Sequence, residues 1–129
     1  MTRYLLDTST LIDFSKGREP THSRLLALID AGTVAICAVN IAEFYAGLPP
    51  EKRPQWRQFL ATLPYWVITR EAAERAGSYR YDLARQGRAL ALADALLAAV
   101  AEEYGAVLIT ENIKDFPMPD IRLLSLRAS

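Results

Sequence analysis

Acidic and amide side chains are the residues of this sequence whose positions suggest chemistry, and Asp7 is the first of them. It directly follows an apolar run at residues 4–6 that predicts a short buried strand. The polar residues Thr8–Thr10 come next, and the apolar pattern that resumes at Leu11 suits a helix. Ligands of open α/β sheets bind where strands end and helices begin, so this carboxylate is expected to point into a site. The alternative is that Asp7 only caps the helix.

Asp94 lies in the first turn of a predicted helix, Leu92 to Tyr104, that is apolar on every side and therefore expected to be buried. An uncompensated buried carboxylate costs several kcal/mol. The helix dipole offsets only about 0.3–1 kcal/mol of that cost. Asp94 is therefore expected to pair either with an arginine, Arg85 or Arg88, or with a cation.

Glu43, Asn112 and Asp115 also lie where a predicted strand ends or a helix begins. Each has a structural explanation as well. Glu43 follows Asn40 by three residues, which resembles a capping box. Asn112 and Asp115 suit an ordinary turn after the apolar run at residues 106–110. In a site, Asn112 would supply a neutral oxygen and Asp115 a charged one.

Converging carboxylates raise one another's pKa unless a cation lies between them. Oxygen-only ligands suit magnesium or manganese, and such an ion can activate water and stabilise an in-line phosphoryl displacement. The chain has one histidine and one cysteine, so a zinc site of thiolates or imidazoles and a Ser-His-Asp triad are disfavoured. Catalysis, if present, must depend on carboxylates.

The predicted elements alternate between strands and helices, which indicates a mainly parallel sheet of about five strands with helices on both faces. We expect a single α/β domain over residues 1–129. The predicted strands are 4–6, 33–39, 65–68, 106–110 and 121–124, and the predicted helices are 11–16, 20–32, 40–48, 51–63, 70–86 and 92–104.

The composition is ordinary for a globular protein, with a formal net charge of zero. A nucleic-acid partner would therefore need a local basic patch. The single cysteine, Cys37, cannot form an internal disulfide and fits a reducing compartment. No signal peptide and no apolar run of about 20 residues is found, so a cytoplasmic protein without a membrane partner is expected.

Taken in order, these motifs resemble the PIN-domain ribonucleases, and among them the VapC-type toxins of toxin–antitoxin pairs. Each match is weak alone, whereas the ordered set is specific and spans nearly the whole chain. The matching segments are Leu6-Asp7-Thr8-Ser9 with Leu11-Ile12, Ala42-Glu43 with Gly47, Asp94-Ala95-Leu96-Leu97-Ala98-Ala99 with Ala101, and Leu108-Ile109-Thr110-Glu111-Asn112 with Asp115-Phe116.

The resemblance implies Mg²⁺- or Mn²⁺-dependent RNA hydrolysis by an activated water. It implies that Asp7, Glu43 and Asp94 form the acidic, metal-binding core. Asn112 stands where many members have a fourth Asp, and Asp115 follows three residues later, so either could fill that position and a second metal site is left open. Ser9 stands where Asn is common and Asn40 where Thr or Ser is common; the supporting residues are Thr8, Ser9 and Thr110.

For the substrate, basic residues near the presumed site are candidates to hold RNA phosphates: Arg80, Arg85, Arg88 and Lys114. Tyr79 and Tyr81 could stack on bases, although packing inside the protein is expected for at least one. The resemblance also implies an antitoxin whose tail covers an apolar groove, such as one formed by Phe44–Leu48 and Trp56, and inserts a basic residue towards the acids. It further implies a homodimer or a toxin–antitoxin hetero-oligomer.

Three alternatives stay open from the sequence. A receiver-like phosphoacceptor domain has a similar length and acids at strand ends, but it would require adjacent acids after the first strand, where this chain has Asp7 followed by Thr8. A catalytically idle PIN-like binding module is the second alternative. The third is a PIN nuclease of RNA processing that has no antitoxin.

Overall fold

The computed structural model describes residues 1–128, which form a four-stranded parallel sheet between two groups of helices. The strands are β1 (Tyr4–Leu6), β2 (Val34–Ala35), β3 (Val107–Ile109) and β4 (Arg122–Leu124), in the order β2-β1-β3-β4. The helices are α1 (Thr8–Ser15), α2 (Thr21–Asp30), α3 (Ala38–Ala46), α4 (Arg53–Leu60), α5 (Arg70–Arg85) and α6 (Leu92–Glu103), with 3-10 turns at Pro50–Lys52 and Ile113–Asp115.

The central strand β1 shows why helices cover both faces of the sheet. Leu5 lies opposite Ala35 and Leu108 in the two neighbouring strands. Because successive side chains of a strand point to opposite faces, Leu5 and Leu6 enter different cores. Leu5 packs in the core that includes α5 and α6, and Leu6 packs in the core that includes α1 to α4. The α/β fold with helices on both faces is therefore confirmed.

The predicted third strand, residues 65–68, is reduced to a single parallel bridge between Ile36 and Tyr65. The Ile36 N–H donates to the Pro64 carbonyl (2.9 Å), and the Trp66 N–H donates to the Ile36 carbonyl (2.8 Å). Pairing stops there because β2 ends at Ala35 and the chain turns into α3 soon afterwards; Val67 is 56% exposed. The sheet accordingly has four strands, where about five were predicted.

Two helices begin earlier than predicted, and both begin close to the site. α1 starts at Thr8, because the N–H groups of Thr10 and Leu11 already bond the Asp7 carbonyl. α3 starts at Ala38, and the capping residue is Cys37, whose N–H donates to Asn40 Oδ1 at 2.9 Å. Asn40 was predicted to be the cap and instead lies in the first turn.

Within residues 1–128, none of the helices combines the length and apolar character needed to cross a bilayer.

Candidate active site

Asp7 ends β1 and lies at the N-terminus of α1, with only 5% of its surface exposed. Its N–H continues the β1–β3 pairing by donating to the Ile109 carbonyl at 2.9 Å. Its carboxylate accepts hydrogen bonds at Oδ2 from Thr110 Oγ1 (2.7 Å) and Ser9 Oγ (3.1 Å). No backbone N–H of the helix bonds this carboxylate, so helix capping does not explain the side chain.

Glu43 is exposed on α3 and is connected to the β1–α1 junction by Thr8. Thr8 Oγ1 donates to Glu43 Oε1 at 2.7 Å. The fully buried Asn40 supports Thr8, since its Nδ2 donates to the Leu6 carbonyl (2.8 Å) and to Thr8 Oγ1 (3.3 Å). The capping-box explanation of Glu43 is wrong, because α3 begins at Ala38. The linking role of Asn40 was missed, although a polar residue in an apolar stretch signals a buried hydrogen-bonding position.

Asp94 is half-buried in the first turn of α6, and its pKa is raised from 3.8 to about 6. Burial is the largest cause, followed by repulsion from Asp7, Asp115 and Glu43. In the described part of the chain, no Lys or Arg forms an ion pair with Asp94. The fold thus brings four carboxylates into mutual repulsion at the carboxyl end of the sheet.

The two arginines proposed as partners of Asp94 are engaged elsewhere. The Arg85 guanidinium lies over the Tyr81 ring at 4.0 Å from its centroid. Arg88 donates to the Lys114 carbonyl at 3.4 Å. The predicted pairing of Asp94 with either arginine is therefore contradicted.

The turn after β3 separates the roles of Asn112 and Asp115. The Asn112 N–H donates to Thr110 Oγ1 (3.0 Å), and its Nδ2 donates to Ser9 Oγ (3.4 Å). Its amide therefore belongs to the hydrogen-bond network around Asp7. Asp115 is exposed in the following 3-10 turn, and its charge contributes to the raised pKa of Asp94.

The donor set of this cluster consists of oxygens alone, which are the ligands preferred by magnesium and manganese. Within the described residues, no three Asp, Glu, His or Cys side chains are spaced to enclose an ion unaided. Magnesium retains several water ligands and needs only one or two protein carboxylates. The residues therefore fit a hydrated Mg²⁺ ion, whose charge would offset the repulsion at Asp94.

The basic residues predicted to bind RNA fall into two groups. Arg88 and Lys114 line a cavity of about 240 Å³ together with Asp115, so they adjoin the acidic cluster. Arg80 and Arg85 form the second group, because both contact other parts of the chain. Arg80 donates through Nε to the Leu90 carbonyl at 3.0 Å, and Arg85 stacks on the exposed Tyr81.

Of the two tyrosines predicted to stack on bases, Tyr79 is partly buried and bonded to another part of the chain. Its hydroxyl donates to Asp120 Oδ2 at 2.8 Å, and burial together with that carboxylate raises its pKa. Tyr81 is 62% exposed, and the Arg85 guanidinium covers one face of its ring.

A mostly apolar cleft opens beside Glu43. It encloses about 300 Å³ between α1, α3 and the start of α4. Phe44 and Trp56 pack edge to face within it, with ring centroids 5.4 Å apart. The polar lining residues include Glu43, Lys16 and Lys52, so one acid of the cluster borders an apolar surface.

Comparison with known proteins agrees with this geometry. The family model of the PIN domain matches residues 4–117, and the chain therefore belongs to the PIN-domain family. It is 32% identical over 115 residues to ribonuclease VapC10 of Mycobacterium tuberculosis, and the aligned region covers 88% of this chain and 86% of that protein. It is 29% identical over 129 residues to the tRNA(fMet)-specific endonuclease VapC of Salmonella typhimurium, covering 95% and 97% of the two chains. Within the family the chain is thus a VapC-type ribonuclease, and the toxin–antitoxin class is indicated by its match to a toxin–antitoxin complex from Klebsiella pneumoniae.

Solved structures support the same assignment. The DNA-bound VapBC complex of Salmonella typhimurium matches with a TM-score of 0.81 and 26% identity, covering 98% of this chain and 99% of that one. VapBC2 of Rickettsia felis, bound to a promoter DNA fragment, also matches with a TM-score of 0.81, at 25% identity and coverages of 96% and 98%. The resemblance stated from the sequence is confirmed, and a receiver-like phosphoacceptor domain is inconsistent with the family match.

The raised pKa of Asp94 predicts how pH affects the metal-free protein. Between about pH 4 and about pH 6 the folded state holds a proton on Asp94 that the unfolded chain has already released. The contribution of this group to stability therefore falls as pH rises through that window. Asp94→Asn should remove this fall and raise the Tm at pH 7 in EDTA.

Thermal melts from pH 4 to pH 8 test this, with Asp82→Asn on the exposed face of α5 as control. A lower Tm for Asp94→Asn at pH 7 would contradict the repulsion argument.

Proposed function

We propose that this chain hydrolyses RNA phosphodiester bonds with a hydrated Mg²⁺ or Mn²⁺ ion bound at the cluster of Asp7, Glu43 and Asp94, and that an antitoxin controls it. The observation that carries the proposal is the clustering of three other carboxylates around the half-buried Asp94, without any ion pair to Asp94 among the described residues. Such an arrangement is costly for the fold, whereas it suits a cation and the phosphate that accompanies it.

A bound ion of this kind supplies positive charge that activates water and stabilises the charge developing on phosphoryl oxygens. The chain's own residues fix the carboxylates. Thr110 and Ser9 orient Asp7, and Thr8 orients Glu43. These hydroxyl donors are neutral, so they hold the acids in place without cancelling the charge that attracts a cation.

For the fourth acidic position we favour Asp115 over Asn112. Asp115 adds negative charge at Asp94, whereas the Asn112 amide donates to Ser9. Asn112 therefore acts as part of the frame around Asp7. Asp115 lies beside Arg88 and Lys114, at the side of the cluster where a phosphate would meet positive charge.

Replacing Asp7 with Asn should abolish both magnesium stabilisation and RNA cleavage. A ligand that binds only the folded state adds about 2.7 kcal/mol at a hundred times its dissociation constant. The acids come from separate segments, so the unfolded chain has no comparable site. Asn keeps the shape of Asp and its capping ability but lacks its charge. Thermal melts with and without Mg²⁺, and cleavage of total RNA followed by mapping of new 5′ ends, measure the two effects.

The matched control for this experiment is Asp82→Asn, which removes an exposed carboxylate from α5. It should respond to Mg²⁺ and cut RNA as the wild type does. If Asp7→Asn still melts higher with Mg²⁺ and still cuts RNA, the assigned site is wrong. A wild-type protein that binds Mg²⁺ but cuts no RNA would instead indicate an idle PIN-like module.

Arg88 and Lys114 are the residues we propose for contacts with RNA phosphates. Removing one such cationic side chain lowers the slope of log K against log salt by about 0.7 for a single strand. Arg88→Ala and Lys114→Ala should each reduce the slope by about this amount and raise KM with little effect on kcat. Fluorescence anisotropy with a single-stranded RNA in EDTA measures the slope without cleavage. Arg70→Ala, at the far end of α5, is the control and should leave it unchanged; an unchanged slope for Arg88→Ala would refute this assignment.

The cleft beside Glu43 is the surface we propose for an antitoxin tail. It offers apolar side chains for an amphipathic segment, and Glu43 at its border would attract a basic residue. A toxin–antitoxin complex from Klebsiella pneumoniae is similar to this chain, with a TM-score of 0.80 and 29% identity. Formation of a homodimer and a cytoplasmic location stay predictions.

Leu48→Asp, which puts a charge into this cleft, should weaken binding of the antitoxin. The chain is co-expressed with any small open reading frame found adjacent to its gene, and both co-purification and RNA cleavage are measured. We expect the Kd of the complex to rise at least tenfold, which corresponds to a loss of about 1.4 kcal/mol of binding free energy. RNA cleavage should return, because less of the chain is bound by the antitoxin. Leu26→Asp, a similarly partly exposed leucine on α2, is the control. Retention of a full-strength complex by Leu48→Asp would place the antitoxin elsewhere, and the absence of any binding partner would favour a nuclease of RNA processing.

A further inference from the structure

Two acids outside the cluster, Asp13 and Glu111, both contact the segment that follows β4. Asp13 lies on α1, which begins immediately after Asp7. Glu111 follows Thr110, which hydrogen-bonds the Asp7 carboxylate. Both carboxylates bind the same short segment after β4, residues Ser125–Arg127. The two chain segments that flank Asp7 are therefore connected through the C-terminal end of the chain.

Glu111 accepts three hydrogen bonds from this segment. Ser125 Oγ donates to Oε1, and the N–H groups of Leu126 (2.9 Å) and Arg127 (3.4 Å) donate to Oε2. Two of the donors are backbone groups, so the carboxylate fixes the path of the main chain. Glu111 binds the C-terminal segment while its neighbour Thr110 donates to Asp7, so the turn after β3 connects the two.

Asp13 is almost fully buried and forms ion pairs with two arginines, Arg18 at 2.8 Å and Arg127. Burial alone would raise the pKa of Asp13, but hydrogen bonds from Arg127 and Arg18 outweigh burial and hold the pKa below its usual value. Both guanidinium groups are more than half exposed, so they compensate the buried Asp13 from the solvent side. Arg127 thereby connects the C-terminal segment to α1.

A third contact keeps the segment against α2. Arg24 Nη1 donates to the carbonyls of Leu126 (2.6 Å) and Ala128 (2.9 Å). Leu126 itself is 5% exposed and packs in the core that contains Leu6 and Leu11. The segment is thus anchored by charge, by backbone hydrogen bonds and by burial, and each anchor lies on a different element.

We propose that residues Ser125–Arg127 form a brace that holds α1 and the turn after β3 at a fixed separation, and so positions the Asp7 carboxylate for metal binding. Glu111 and Arg127 are its positioning residues; neither touches substrate or ion. The inference rests on the proposed function, because a brace of Asp7 matters to catalysis only where Asp7 serves the reaction. Misplacement of a reacting group by about 1 Å can lower a rate about a hundredfold.

The test compares Glu111→Ala, Glu111→Gln and Arg127→Met with Glu74→Ala, which removes an exposed acid from α5. We expect Glu111→Ala to lower kcat about 10- to 100-fold and to raise the Mg²⁺ concentration for half-maximal cleavage of a single-stranded RNA. The KM for RNA should hardly change, since the basic residues near Asp115 are untouched. Glu111→Gln retains an acceptor and should recover part of the activity, whereas Glu74→Ala should behave as wild type.

A double-mutant cycle separates positioning from general stability. Thr110→Val removes the hydroxyl through which Glu111 is proposed to act. If the brace works through Thr110, adding Glu111→Ala to Thr110→Val should lower kcat little further, whereas the effects of independent sites multiply. Assays are run well below the Tm of each variant. Fully multiplicative effects, or an unchanged Mg²⁺ requirement in Glu111→Ala, would overturn the proposal.

Amide hydrogen exchange makes the outcome independent of cleavage. The Thr110 N–H bonds the Leu124 carbonyl and the Asn112 N–H bonds Thr110 Oγ1, so both should exchange faster in Glu111→Ala if the brace holds the turn. Faster exchange together with a wild type that cuts no RNA would keep the brace and refute the proposed function. Unchanged exchange in Glu111→Ala and Arg127→Met would refute the brace, whatever the wild type cuts.

Discussion

Repulsion among carboxylates at one edge of the sheet is the constraint on which the rest of this structure depends. Strands β1 and β3 end side by side, and α3 and α6 begin nearby, so their junction residues are forced together. Burial and three like charges raise the pKa of Asp94 to about 6. A fold optimised for stability alone would replace such a group, since uncompensated buried charge is costly. Under the proposed function, a cation or a basic group that enters the cluster offsets this cost.

The acids of the cluster have no arginine partner among the described residues, whereas some acids elsewhere do. Arginine neutralises Asp13 through Arg18 and Glu102 through Arg75, while Glu103 and Glu111 accept hydrogen bonds from the hydroxyls of Thr69 and Ser125. Inside the cluster, Asp7 and Glu43 are held by hydroxyl donors that carry no charge. Hydroxyls fix the orientation of an acid while leaving its negative charge intact, and arginine would cancel that charge. The acids of the cluster therefore keep the negative charge that repels Asp94.

Apolar runs allowed the sequence to predict the parallel α/β fold and the placement of the junction acids, because both follow from local patterns. Other features depended on tertiary contacts. Residues 65–68 have the composition of a strand, yet β2 is too short to pair with them beyond Tyr65. Asn40 has the residue type of a cap, but Cys37 caps α3 and leaves Asn40 to bond Leu6 and Thr8. The connection of Glu111 to the C-terminal segment spans the β3–β4 connection and has no local signal.

The electrostatics of the cluster also explain how one site can serve both activity and its control. The repulsion at Asp94 is relieved by any positive charge among the acids, whether that charge comes from a hydrated ion or from the basic side chain of a bound protein. Glu43 belongs both to the cluster and to the apolar cleft between α1, α3 and α4. A basic residue of a segment bound in that cleft could therefore reach Glu43, whose charge also acts on Asp94. Under the proposed function, antitoxin and metal ion are expected to exclude each other, because they offset the same excess of negative charge.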